Sequence, residues 1–234
     1  RFARVYGLRA REAIIGFAND TQQEIAVLYD PDALRLQHAP RAGHATVPRF
    51  DGVFSIDLDV DARGDHVRFS KPPIELACVT SSGFSFHLIG VLLKSIAPYV
   101  ASDPEDLKSI AISNRRKQLA QAIWLRARVD QVLADKIPLI VAGDFNDGPG
   151  LDAFEHLFGR SSVEIVLGAA SQTNLYDPHA TECKKDPSVP DPATARFWIE
   201  EKKGVLHALL DYVMVSPELK NKNPVWRIWH PEND

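Results

Sequence analysis

Cysteine is scarce in this chain: Cys78 and Cys183 are the two among 234 residues. One lies in a strand-like run and the other in a polar loop, without metal-ligand spacing between them, so neither a disulfide framework nor a zinc site is indicated. Long apolar runs are missing too. No segment approaches the roughly 18 apolar residues of a membrane span, and the expectation is a soluble protein, cytoplasmic or exported. An excess of basic charge is also lacking. Net charge is −4 and the pI about 6.1, which argues against a surface that coats nucleic acid, although a local patch could still hold phosphate. Of the short clusters Arg115-Arg116-Lys117, Lys184-Lys185 and Lys202-Lys203, the last two read as solvated faces, and for the first that reading stays open. There is no repeat, low-complexity tract or linker. The chain opens on "RFARVYG", without Met or a signal-peptide pattern, and stops at "WRIWHPEND". Both ends read as cut through a domain.

What is present suits one globular domain over residues 1–234, with 45% hydrophobic and 25% charged residues and a sizeable core. "EIAVLYD", "VFSIDLDVD" and "IELACVT" read as strands. "FSFHLIGVLLKS" follows the last across Ser-Ser-Gly, as in a hairpin. "SDPEDL" carries a helix start, with Asp103 as N-cap and Pro104 at the first helical position. Leu119, Ala122, Ile123 and Ala127, extended by Leu125, Val129, Val132 and Leu133, give that helix its apolar stripe. A buried strand "IPLIVAG" and a short helix at 151–158 come next, then a long surface loop over 171–195. "VLHALLDYVMVS" is expected as one strand, Ser216-Pro217-Glu218 as a helical turn and "VWRIWH" as the last strand. Strands in hairpins mixed with helices indicate an α/β protein with mixed sheets.

Two constellations could carry chemistry. In "IPLIVAGDFNDGPG", Asp144 ends a buried strand, the edge where α/β proteins bind ligands. A carboxylate there can act on water, and the Asn146 amide can donate to a phosphoryl oxygen. The same residues are also good turn formers. In "LLDYVMVS", Asp211 interrupts an apolar run. It either orients a histidine or bonds nearby backbone amides.

Together these pieces resemble the endonuclease/exonuclease/phosphatase superfamily (deoxyribonuclease I-like), in its bacterial type. "GDFN", "LDYVMVS", "VLLKS", the Arg and Gln of "ISNRRKQLAQA" and the strand entry "FSKPPIELACV" are similar to that family's motifs in order and spacing, over most of the chain. The resemblance implies a four-layer α/β/β/α sandwich of two mixed sheets, here without its first strands. It also implies metal-dependent phosphoester hydrolysis with Mg²⁺ or Mn²⁺. Asp144 would activate or orient water, Asn146 would bind phosphoryl oxygens and Asp211 would orient a catalytic histidine. Lys94 would either face substrate or snorkel along the surface, and Asp234 would approach the metal. The substrate would be a nucleic acid, a phospholipid headgroup or a small phosphodiester, and no obligate protein partner is implied. The alternative on the same fold is a non-catalytic module binding phosphate or nucleotide.

The pattern departs from the family in three places. Leu92 stands where the motif has His, and His87 points to the other side of that strand by parity. The chain ends at Asp234, where an Asp-His pair would continue. Glu24 of "TQQEIAVLY" opens a strand, whereas the family's metal-binding Glu follows one. "DLDVDARG" imitates a calcium loop but has Ala62 where Gly is needed and Arg68 where Glu is needed.

Overall fold

The structure, a computed structural model, describes residues 2–58, 65–97, 104–148, 159–169, 173–182, 192–199 and 203–229. Its strands in chain order are β1 (Glu12–Ile15), β2 (Ala26–Tyr29), β3 (Leu34–His38), β4 (Phe54–Ile56), β5 (Asp65–Val67), β6 (Ile74–Thr80), β7 (Ser85–Leu92), β8 (Leu139–Asp144), β9 (Ala195–Ile199), β10 (Gly204–Ala208) and β11 (Asp211–Val215). The helices are α1 (Phe2–Val5), α2 (Pro104–Ala134), α3 (Ser162–Leu167), α4 (Pro178–Glu182) and α5 (Pro217–Lys220).

Five strands make one mixed sheet in the order β11-β8-β7-β6-β3, parallel between β7 and β8 and antiparallel elsewhere. The parallel pair needs a long crossover, and α2 supplies it. Pro104 opens this helix and Glu105 and Asp106 occupy its first turn, where they complement the helix dipole; Asp103, the expected N-cap, lies outside the described residues. Strand alternation sends Ile89, Val91, Leu139, Val141, Tyr212 and Met214 to the α2 side, where they meet Leu119, Leu125, Val129 and Val132 in the main core. Trp124 is fully buried there among the rings of Phe50, Phe54 and Phe69. Its Nε1 donates to the Pro48 carbonyl at 3.0 Å, which satisfies the indole and ties the 48–54 segment to the helix.

On the opposite face, Ile74, Leu76 and Cys78 pack against Ile14, Ile25 and Val27 of the β1–β2 ladder and its connection. Two further antiparallel pairs, β4–β5 and β9–β10, complete the described strands. The architecture is therefore mixed α/β with several sheets. The expectation of two mixed sheets in four layers is coarser in outcome: the described residues give α2, one five-stranded sheet and, beneath part of it, a two-stranded ladder.

Local departures have physical causes. The expected strand over 205–216 is two strands, because the backbone at Leu210 turns elsewhere. Its carbonyl accepts from Phe145 N at 2.8 Å and its N–H donates to Thr194 Oγ1 at 3.0 Å. The expected last strand "VWRIWH" forms no ladder over 225–229, and His230 lies outside the described residues. The outer edge of β11 is already satisfied. Asp177 Oδ2 accepts from Val213 N at 2.9 Å, Trp226 Nε1 donates to Val213 O at 2.8 Å, and Tyr176 bridges to Val215. Within the stretch expected as loop, Pro178–Glu182 is helical. Of "VFSIDLDVD", Phe54–Ile56 is strand among the described residues, and residues 59–61 lie outside them. The helix expected at 151–158 lies outside the described residues, as do Cys183 and Asp234.

Candidate active site at the strand ends

Asp144 closes β8 and is paired across the sheet with Leu92 of β7 and with Asp211 of β11. Since their neighbours face α2, these three side chains share the opposite face of the sheet in one row. Gly143 precedes them for a steric reason: at φ +143°, a Cβ there would stand 2.1 Å from the Val91 carbonyl oxygen. At that φ the Cβ position is aimed into the backbone of β7, so only glycine fits there.

Beyond the strand the chain turns sharply at Asn146, which adopts the left-handed conformation at φ +50° that Asn tolerates better than most residues. Asn146 N donates to Asp144 Oδ1 at 2.7 Å. Its Nδ2 donates to Asp144 Oδ2 at 3.2 Å and to the Leu93 carbonyl at 3.0 Å. Both oxygens of Asp144 are thus held in place. Burial raises the Asp144 pKa; the bond from Asn146 N opposes this, and the nearby charge of Asp211 adds to it.

The turn is clamped from behind by α2. Gln118 Nε2 donates to the carbonyls of Phe145 at 3.2 Å and Asn146 at 3.0 Å, while its Oε1 accepts from Arg115 Nη1 at 2.6 Å. Arg115 also pairs with Asp147 at 2.6 Å, both side chains being fully buried. Asp147 Oδ2 accepts from the backbone N–H of Ser162 at 2.7 Å and from its hydroxyl at 2.6 Å. The Arg and Gln of the helix motif, one helical turn apart, thus hold the loop that presents Asp144 and Asn146. Arg115, in the basic cluster for which a solvated face was left open, is buried.

Two cavities flank the row. On the β7 side, a cleft is lined by Lys71, Lys94, Ser70, Ser95 and Asn146. The Lys94 backbone N–H is fixed by Gln121 Oε1 at 2.8 Å. On the β11 side, Asp211 shares a cavity with Asp177, His179, Leu209, Trp226 and Trp229. Sequence reading passed over Lys71, Asp177 and His179. Asp177 had a signal: Asp-Pro at 177–178 repeats the helix-start pattern of 103–104. The structure uses it so, with Asp177 Oδ1 accepting from His179 N at 2.9 Å. Burial raises the Asp177 pKa against the backbone donors of Val213 and His179.

Metal ligation finds little support here. Among the described residues no group of three or more His, Cys, Asp or Glu side chains is placed to hold an ion. Both Asp144 oxygens already accept from Asn146, and Asp234 lies outside the described residues. The Mg²⁺ or Mn²⁺ that the resemblance implies therefore has no ligand set among them. No helix among the described residues is long and apolar enough to cross a membrane.

No family model and no curated protein matches the chain. Among solved structures it is similar to the human Nocturnin catalytic domain with bound sulfate, at 21% identity over 82% of this chain and 52% of that one, TM-score 0.42. It is similar also to an endonuclease/exonuclease/phosphatase family protein from Bacteroides thetaiotaomicron, at 15% identity over 91% and 62% of the two chains, TM-score 0.45. A mannosyl-6-phosphatase of the same organism gives 14% identity over 91% and 65%, TM-score 0.45. The chain spans less than two thirds of the length of each. These structures are human as well as bacterial. At these scores the likeness decides neither membership nor activity.

Proposed function

We propose that the cleft at the carboxyl ends of β7 and β8 binds a phosphoester and that the protein hydrolyses it. The observation that carries this reading is the juxtaposition of Asp144, its carboxylate fixed by Asn146, with a cleft walled by Lys71 and Lys94. Two ammonium groups and the Ser95 hydroxyl supply charge and donors to phosphoryl oxygens. Asp144, beside them, orients or activates the attacking water. Asn146 positions Asp144 and lines the same cleft. Both hydrogens of its amide are engaged, so it must release Leu93 or Asp144 before it can donate to a phosphoryl group. Asp211 stands across from Asp144 and lines a cavity together with His179, the histidine we assign to the role of Asp211's partner. The motif order of the sequence, together with this geometry, favours hydrolysis.

A second reading, a phosphate-binding module without turnover, is favoured by Leu92, which puts an apolar side chain beside Asp144 in the row. The experiment that separates the two measures hydrolysis of bis(p-nitrophenyl) phosphate, with and without added Mg²⁺ or Mn²⁺. Turnover that falls about 100-fold or more in Asp144→Ala, in line with loss of a general base, supports the enzyme. Phosphate binding without turnover supports the module. An unchanged rate in Asp144→Ala removes Asp144 from the mechanism.

A further inference from the structure

We propose that the phosphate cleft continues into a second subsite for hydroxyl groups, so that the ligand this protein prefers is a phosphorylated polyol. This inference rests on the phosphoester reading above. Ser70 belongs to the walls of both the phosphate cleft and an adjoining groove, and that groove is lined further by Asn19, Asp20, Thr21, Asp51 and Arg68. The two walls differ in chemistry. The first offers cations and donors, which suit an anion. The second sets carboxylates, an amide and hydroxyls beside the Arg68 guanidinium, a mixture that suits groups that both donate and accept, as each alcohol does.

Asn19 sharpens the point. Its Oδ1 is committed to the backbone N–H and hydroxyl of Thr21, while its Nδ2 is buried without a hydrogen-bond partner. A ligand hydroxyl is the acceptor that this amide lacks, and a buried donor left unpaired is costly. Asp51 is fixed in a two-point contact by Arg49, at 3.0 and 2.8 Å, and Asp20 is exposed. Both carboxylates can accept from alcohols. The one aromatic residue of the groove, Phe69, is buried in the core, so a planar base finds no ring face to stack on there.

Titration calorimetry on the full chain with inorganic phosphate, sorbitol 6-phosphate and adenosine 5′-monophosphate tests the proposal. The polyol phosphate is expected to bind about tenfold more tightly than phosphate, as one or two net hydrogen bonds would give, and more tightly than the nucleotide. Asn19→Ala and, separately, the exposed-site change Asp20→Ala should remove most of that excess and leave phosphate affinity unchanged. Equal affinity for polyol phosphate and phosphate, an excess that survives both substitutions, or preference for the nucleotide overturns the subsite and leaves the phosphate cleft standing. Failure of the unsubstituted chain to bind any of the three refutes the cleft itself, and the subsite with it.

Discussion

Asn146 and Asp147 sit side by side in a turn, and the structure gives them opposite surroundings. Asn146 lies at the cleft and holds Asp144, whereas Asp147 is fully buried against Arg115 and the start of α3. A buried carboxylate survives only if it is paired and hydrogen-bonded, and Asp147 meets both conditions. Asp147→Asn keeps the shape but removes the buried negative charge that pairs with Arg115. It should lower stability by about 3 kcal/mol or more, read as a fall in denaturant midpoint at unchanged m-value. A loss within about 0.5 kcal/mol, the range of ordinary surface substitutions, would show that the clamp is not needed. At this scale the sequence was legible in part. The motif marked Asp144, Asn146, Lys94 and Asp211, and the structure brings Asp144, Asn146 and Asp211 to one strand end with Lys94 beside them. Lys71 was not legible, because a lysine ahead of two prolines carries no signal until the 70–72 segment is seen to wall the cleft.

Helix α2 shows why an element can be foreseen while its faces are not. Its start and apolar stripe follow from Pro104 and from residues such as Leu119, Leu125 and Val129. Yet Arg115, Gln118, Gln121, Arg126 and Arg128 are buried as well. Hydrophobic periodicity assigns charged residues to water, and it cannot register that Arg126 is taken up by the carbonyls of Val166, Leu167 and Thr173. The strands near 209–210 were misjudged for a related reason. Leu209 and Leu210 continue an apolar run, and only the long-range bonds to Thr194 and Phe145 show that the ladder breaks there. The helix's hold on the 48–54 segment is testable at Trp124. Trp124→Ala should cost roughly 3–5 kcal/mol, as aromatic truncations in cores do, measured by chemical denaturation. A cost below about 1 kcal/mol would contradict the aromatic packing around it.

On the scale of the whole molecule, one buried carboxylate should leave a mark on stability. Glu75 of β6 faces Arg128 across the sheet–helix interface at 3.4 Å, and burial pushes its pKa up to about 7 against the pull of Arg128 and Arg41. A carboxyl whose folded pKa lies above its unfolded value binds its proton more tightly when folded. Its contribution is therefore full at low pH and is lost as pH rises from about 4.5 toward 7. Thermal unfolding should show Tm declining across that window, and Glu75→Gln should flatten the decline. An identical slope in the variant would place the titration elsewhere.

The mixed α/β character, the hairpin into β7 and the long helix α2 ahead of β8 were all readable from local patterns. How much of a second sheet lies under the first was not, because β1 and β2 are short and their partners are set by the tertiary fold. The central claim is that Lys71, Lys94 and Asn146 wall a phosphoester site beside Asp144. A crystal soaked with tungstate, a phosphate mimic with strong anomalous scattering, tests it most directly. The account predicts an anomalous peak in that cleft, lost in Lys94→Met; a peak only among Arg41, His44 and Arg128 at the far end of α2, or none at all, would contradict it.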